Sequence, residues 1–338
     1  MSGLLLKTGL KECFDAAGGL VRCSGSGQDA EFRIGREIPV PRFIPAGEGL
    51  VRDEYTGLVW PRGSDVFDFP LTWAESLQMI ESLNKEAFLG RNTWRMPDRR
   101  ELRSLIDHGS RMPAMPGEHP FFGFRESWYW TGTSSAMYTD YAWYIHFAGG
   151  RMFWGRKDQQ AFCRPVSGRS KIILPTGQST CLDSRGKEIR CSGIYALADR
   201  GHPLDAKERF RVHSTGVEDG LTGLLWHVDP FLDSREVKWQ KALDMVDRMN
   251  SKQSEVSWRL PNINELESIV DCSRHTPALS LPVASEKVQE VYWSSSTSGY
   301  ETDWAFALYM HKGAVGVGHK SSAAYAVWPV AGDPKRLG

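Results

Sequence analysis

The chain has 338 residues, 41% of them hydrophobic and 24% charged, enough to bury a sizeable core and outside the composition of disordered chains. Lys plus Arg equals Asp plus Glu, 41 each, which argues against a nucleic-acid partner, because such binding rests on neutralising phosphates. No run approaches the roughly 18 apolar residues that cross a bilayer, and Leu4-Leu5-Leu6 is too short for the apolar core of a signal peptide, so a soluble chain without membrane insertion is expected.

The length exceeds twice the usual domain, which predicts two domains, and an internal repeat places them. Lys7-Thr8-Gly9 with Cys13 and Cys23 recurs as Pro175-Thr176-Gly177 with Cys181 and Cys191, each cysteine pair keeping the same ten-residue separation. Asp53 to Trp60 recurs as Asp219 to Trp226, Trp73 as Trp239, Trp94-Arg95-Met96-Pro97 as Trp258-Arg259-Leu260-Pro261, Tyr129-Trp130 as Tyr292-Trp293, and Lys157 as Lys320. These ordered matches mean two complete copies of one domain, 1–168 and 169–338, each long enough to own a core. Charge is shared evenly: 20 basic and 20 acidic side chains in the first half, 21 and 21 in the second.

At the start of each copy the cysteine pair flanks a turn sequence, Asp15-Ala16-Ala17-Gly18 or Asp183-Ser184-Arg185-Gly186, and the expectation is two hairpins closed by local disulfides in an oxidising compartment. In a cytosol the same four cysteines would stay reduced. Cys163 and Cys272 have no cysteine counterparts; buried thiols or one odd bridge are the two readings. Asp53 and Asp219 stand just before Thr-Gly-Leu, where an aspartate satisfies turn amides; this role is preferred to calcium binding. Thr72 with Glu75 forms a capping box for a helix burying Trp73, Leu77, Ile80 and Leu83, matched by Trp239, Leu243, Val246 and Met249. Asp98 with Glu101, and Asn262 with Glu265, start a second helix whose inner stripe is Leu102, Leu105 and Ile106, or Leu266, Ile269 and Val270. Glu101 and Glu265 read as capping acids with Arg95 and Arg259 as partners. Aromatic, glycine-punctuated strands follow, including Trp128-Tyr129-Trp130, Tyr141 to Ile145 and Trp304 to Leu308. Helices followed by strands give an α+β class.

Catalytic templates are absent. There is no phosphate-cradling Gly-x4-Gly-Lys-Ser/Thr and no His-Glu-x-x-His zinc helix. Ser294-Ser295-Ser296 lacks a duplicated His and acid to activate a nucleophile and reads as a hydroxyl-rich strand. No metal or cofactor is expected. The sharper signal lies in the late loops, where Tyr138, Tyr141 and Trp154, and in the second copy Tyr300 and Trp304, sit among Ser, Thr, Gly and Asp. Such rings offer rigid contact area with a polar handle; the alternative is inward packing in strands. Asp140 and Asp303 would orient a sugar hydroxyl or a cation, or solvate a turn, and Lys157 and Lys320 would reach an anionic group.

Asp219-x2-Thr222-Gly223-Leu224-x-Trp226, Trp258-Arg259-Leu260-Pro261-x3-Glu265-Leu266-x-Ser268-Ile269-Val270-Asp271, Tyr292-Trp293-Ser294-Ser295-Ser296 and Trp328-Pro329-Val330 together resemble the Lcl C-terminal domain family. The first copy resembles it more loosely, with Met96 for leucine and Thr131-Gly132-Thr133 for the serine run. The resemblance covers almost the whole chain. It implies tandem C-type-lectin-like domains, each with two helices bracing a small twisted antiparallel sheet, and a ligand surface on long loops between the late strands. Members of the family are commonly exported adhesins, and the adhesin domain that names it binds sulfated glycosaminoglycans, whereas the neutral halves of this chain attract polyanions weakly.

The expected protein is a non-enzymatic binder of a glycan or a surface protein, extracellular or periplasmic after loss of a signal, with the cytoplasm as the alternative. A permanent accessory subunit of a larger assembly is a second expectation. A third is an oxidase like the formylglycine-generating enzymes; against it, the paired cysteines of those enzymes reduce here to Cys163, with Val327 at the matching position.

Overall fold

A computed structural model describes residues 4–63, 66–203, 209–250 and 256–332. The chain packs as two compact units, Met1–Glu37 with Asp107–Arg111 and Asp205–Gly338, and Ile38–Ile106 with Met112–Leu204. The expected division into 1–168 and 169–338 describes the sequence repeat; the packing is offset from it. The leading segment of each copy, with its cysteine pair, packs in the unit that holds the body of the other copy. For brevity the units are named by that body, the first-copy and the second-copy unit.

In the first-copy unit, strands Phe43–Pro45, Leu50–Asp53 and Val59–Pro61 form an antiparallel meander. Helix Trp73–Lys85 follows, opened by the expected capping box of Thr72 and Glu75, with Trp73, Leu77, Ile80 and Leu83 buried. These residues meet Trp94, Met96 and Trp130 in one core. Helix Arg99–Arg103 also starts with its expected box, Asp98 and Glu101, but it is only five residues long. Leu105 and Ile106 lie past its last turn yet remain buried, because the chain turns inward rather than continuing the helix. Three antiparallel strands then complete the unit: Trp128–Ser134, Tyr141–His146 and Met152–Arg156.

The second-copy unit repeats this plan. Helix Trp239–Asn250 buries Trp239, Leu243 and Val246 and packs the partly buried Met249 against the same core. Helix Ile263–Ser268 is opened by Asn262 and Glu265, and strands Val291–Thr297, Trp304–Tyr309 and Ala314–His319 follow. The first strand of each late sheet carries the same irregularity, between Trp130 and Ser134 and between Trp293 and Thr297. An inserted irregularity bends and twists a strand, so the first late strand of each unit bends at the same place. Ser294 and Ser296 are spent inside this strand: the Ser294 hydroxyl donates to the Phe306 carbonyl at 2.7 Å and the Ser296 hydroxyl to Asp29 at 2.6 Å.

Two buried ion pairs tie early strands to later helices in each unit. Asp53 accepts both guanidinium bonds of Arg42, 2.9 and 2.8 Å, together with the Tyr55 amide and the Thr56 hydroxyl; Arg42 also donates to the Ser104 carbonyl at 2.7 Å. Asp219 repeats the arrangement with Arg209, the Leu221 amide, Thr222 and the Ser268 carbonyl. The turn-amide role read from sequence is therefore present, joined by an arginine that the motif did not reveal. Arg95 forks onto Glu101 at 2.6 and 2.7 Å, and Arg259 onto Glu265 at 2.5 Å for both bonds. Removing one partner of such a pair strands the other charge without water, at a cost of about 3–5 kcal/mol. Asp219→Ala is accordingly expected to lower the unfolding free energy by about 3 kcal/mol or more in urea titration; a midpoint unchanged from the parent chain would contradict this account.

Candidate functional site

Cys13 is bonded to Cys23 and Cys181 to Cys191, as the spacing predicted. Cys163 and Cys272 are separate buried thiols, so the odd bridge does not form. The two disulfide hairpins have equivalent tips. Asp15 accepts the Ala17 and Gly19 amides at 2.9 and 2.8 Å, and Asp183 accepts the Arg185 and Lys187 amides, both at 2.9 Å, which closes each turn on an aspartate. Gly18 and Gly186 have φ of +84° and +77°, in the left-handed region. A Cβ on Gly18 would approach Thr302 Oγ1 to 2.8 Å, and one on Gly186 would come within 2.5 Å of Thr139 and Asp140 backbone atoms. Only glycine permits both the turn and this close seating.

Each seat is fastened by a lysine. Lys157 Nζ donates to the Thr139 and Asp183 carbonyls at 3.0 and 2.8 Å and lies 4.5 Å from the Trp73 ring centroid. Lys320 Nζ donates to the Phe14, Asp15 and Thr302 carbonyls at 3.1, 3.1 and 2.8 Å and lies 4.2 Å from the Trp239 ring. The expectation that these lysines reach an anionic ligand is therefore corrected: both are buried, with their donors consumed by hairpin and loop carbonyls. Burial lowers their pKa, to about 8 for Lys157 and about 7 for Lys320, against an upward pull from Asp183 and Asp140 and from Asp15 and Asp303. The second leading segment makes further contacts with its host. The Gln178 side-chain amide brackets the Ser134 backbone with two 2.9 Å bonds, and Asp199 lies 3.0 Å from Arg95.

Beside the hairpin tip in the first-copy unit lies a cavity of about 430 Å³, lined by Thr72, Ala74, Asp140, Arg156, Lys157, Asp158, Ser184 and Arg185. Arg156 and Asp158 pair with each other at 2.6 Å. The Asp140 carboxylate, the Ser184 hydroxyl and the Arg185 guanidinium make no side-chain hydrogen bond to the described residues. Three of the expected aromatic residues cluster next to it. The ring centroids of Tyr138, Tyr141 and Trp154 are 5.3–5.5 Å apart in tilted and edge-to-face contacts, and Tyr138 is 49% exposed. Tyr141 stands directly across from Arg156 in the strand register, which places the ring cluster beside the cavity.

The corresponding surface of the second-copy unit is built differently. Asp303 is paired with His319 at 3.2 Å, and His319 packs edge-on against Trp304. Segment Asp107–Arg111 covers the adjoining loop: the Gly299 amide donates to the His108 carbonyl at 2.9 Å, and Arg111 donates to the Tyr300 carbonyl at 3.0 Å. Tyr300 keeps 38% exposure but belongs to no ring cluster like that of Tyr138. The nine expected ligand residues therefore divide: Tyr138, Asp140, Tyr141 and Trp154 come together, Asp303 and Trp304 lie beside His319, Tyr300 stays exposed with its carbonyl bonded to Arg111, and both lysines are buried, Lys157 on the cavity lining.

The Lcl C-terminal domain family matches residues 49–167 and 215–331. The chain belongs to this family. Its two Lcl C-terminal domains are the strand, helix and sheet bodies described above, and both matched ranges leave out the disulfide hairpins. No curated protein matches the chain.

Sequence reasoning missed Ser184, Arg185, Arg156 and Asp158. Arg185 carried a usable signal, since it and Ser184 stand in a duplicated turn where the other copy has Ala16 and Ala17. The lysine seats generate a pH prediction. Unfolded lysine titrates near 10.5, so from about pH 7 to 10 the unfolded chain holds more protons than the folded one, and raising the pH stabilises the fold. The stability advantage of the parent chain over Lys320→Met should therefore grow between pH 7 and pH 10 in denaturant titrations; a gap that stays constant would show that Lys320 does not titrate as described.

Proposed function

We propose that the chain is a non-enzymatic glycan-binding protein, acting through the Tyr138, Tyr141 and Trp154 cluster and the polar cavity beside it. The single observation that carries this reading is the adjacency of the ring cluster, with Tyr138 exposed and Tyr141 and Trp154 partly buried, to a carboxylate and a guanidinium that make no side-chain hydrogen bond to the described residues. Sugars present an apolar C–H face and a rim of hydroxyls. Rings accommodate the first, while charged planar groups make strong hydrogen bonds to the second. We read the two-helix brace and late curved sheet as C-type-lectin-like, with the ligand surface on the loops between late strands. The disulfides fit an exported protein, extracellular or periplasmic. The oxidase alternative is disfavoured because burial pushes the Cys163 thiol pKa up to about 12, the reverse of an activated cysteine.

The test is a panel of immobilised neutral and sulfated oligosaccharides probed with the parent chain, Trp154→Ala and Tyr141→Ala. Retention of at least one oligosaccharide is expected, with each variant weakening it by about tenfold or more, equivalent to roughly 1.4 kcal/mol. Retention unaffected in both folded variants would remove the ring cluster from the site. Retention of none, together with fixed-ratio copurification with another protein, would replace the glycan reading by an accessory-subunit role.

A further inference from the structure

Resting on the glycan reading, we infer that the chain carries one sugar site and not two, and that the tip of the Cys181–Cys191 hairpin supplies its specificity through Arg185 and Ser184. The hairpin is absent from the segment of sequence that forms the body of its host domain, yet its tip is fixed against that body at several points. Gly186 packs on Thr139 and Asp140, and the Asp183 carbonyl is held by Lys157. This seating puts Ser184 and Arg185 on the cavity wall with Asp140.

The chemistry of that wall is specific. Asp140 accepts only, Arg185 donates only, and Ser184 does either. A pair of hydroxyls on adjacent sugar carbons satisfies all three at once, one hydroxyl donating to Asp140 and the neighbouring oxygen accepting from Arg185. The Arg156–Asp158 pair adds no net charge, and the Lys157 ammonium on the same lining is held by the Thr139 and Asp183 carbonyls. The wall therefore suits a neutral hexose with vicinal hydroxyls, whose C–H face rests against Tyr141 and Trp154. The size agrees, because a cavity of about 430 Å³ lies within the roughly 300–1,000 Å³ of small-ligand sites.

The second domain has the same fold and keeps Asp303 and Trp304 at the positions of Asp140 and Tyr141, but lacks the other elements. Its hairpin tip presents Ala16 and Ala17 in place of Ser184 and Arg185. His319 replaces Arg156 and engages the carboxylate that matches Asp140. Val317 and Glu301 stand where Trp154 and Tyr138 stand, and Ser321 where Asp158 stands. Its loop at Gly299 and Tyr300 is already occupied by His108 and Arg111. Fold and hairpin were kept in both domains, while the full set of ligand groups is in one.

Isothermal titration of the full chain with lactose, mannotriose and chitotriose tests this, using the parent chain, Arg185→Ala, Ala17→Arg and Trp304→Ala. At least one of the three sugars is expected to bind at one site per chain. Arg185→Ala is expected to weaken that sugar by about tenfold or more with an unchanged thermal melt, whereas Ala17→Arg and Trp304→Ala retain the parent affinity. Two sites per chain would overturn the single-site inference, full affinity in Arg185→Ala would overturn the role of the hairpin tip, and either would leave the glycan reading standing. Binding of none of the three sugars would overturn the neutral-hexose inference; if sulfated oligosaccharides are retained nonetheless, the glycan reading survives, and if nothing is retained both fail.

Discussion

A buried ammonium fastens a disulfide hairpin to each domain, and the proposed ligand surface depends on that fastening. Lys157 has one bond to its own sheet loop and one to the hairpin, with an indole face beneath it; Lys320 repeats this with three carbonyls. A lysine withdrawn from water is costly, and hydrogen bonds together with an aromatic face offset that cost. The arrangement imposes a constraint in return. The hairpin tip can neither slide nor rotate without leaving the ammonium undersolvated, so residues displayed at the tip occupy fixed positions on the host domain.

That constraint gives the duplication its consequence. Because each leading segment serves the body of the other copy, substitutions in one hairpin alter the surface of the other domain. The Asp-x-x-Gly turn, the disulfide and the lysine are structural requirements and are alike in both copies. The two turn residues between Asp and Gly carry no structural duty, and there the copies differ, Ala-Ala in one and Ser-Arg in the other. The Asp53–Arg42 and Asp219–Arg209 pairs show the complementary pattern: buried, bidentate and repeated in both domains.

Much of the fold was legible because it rests on local chemistry. Capping boxes at Thr72, Asp98 and Asn262, the helical stripes, and the ten-residue cysteine spacing all act over a few residues, and each has the expected partner in space. What was illegible was long-range. Nothing local to Lys157 or Lys320 reveals that carbonyls from a distant hairpin will consume its donors, so both looked like exposed anion contacts. The exchange of leading segments is equally invisible, since a repeat in sequence does not say which copy a segment packs upon. The ring cluster of Tyr138, Tyr141 and Trp154 was half legible: the residue types were evident, whereas their assembly depended on the strand register that sets Tyr141 opposite Arg156.

The central claim is that one domain, completed by the hairpin of the other copy, presents the ligand surface. Hydrogen–deuterium exchange of the intact chain, with and without the best-retained oligosaccharide, tests it directly. Slower exchange in peptides spanning 136–141, 152–158 and 182–187, with 15–19 and 299–304 unchanged, is the predicted result. Protection centred on 15–19 and 299–304, or none in the hairpin 182–187, would contradict it.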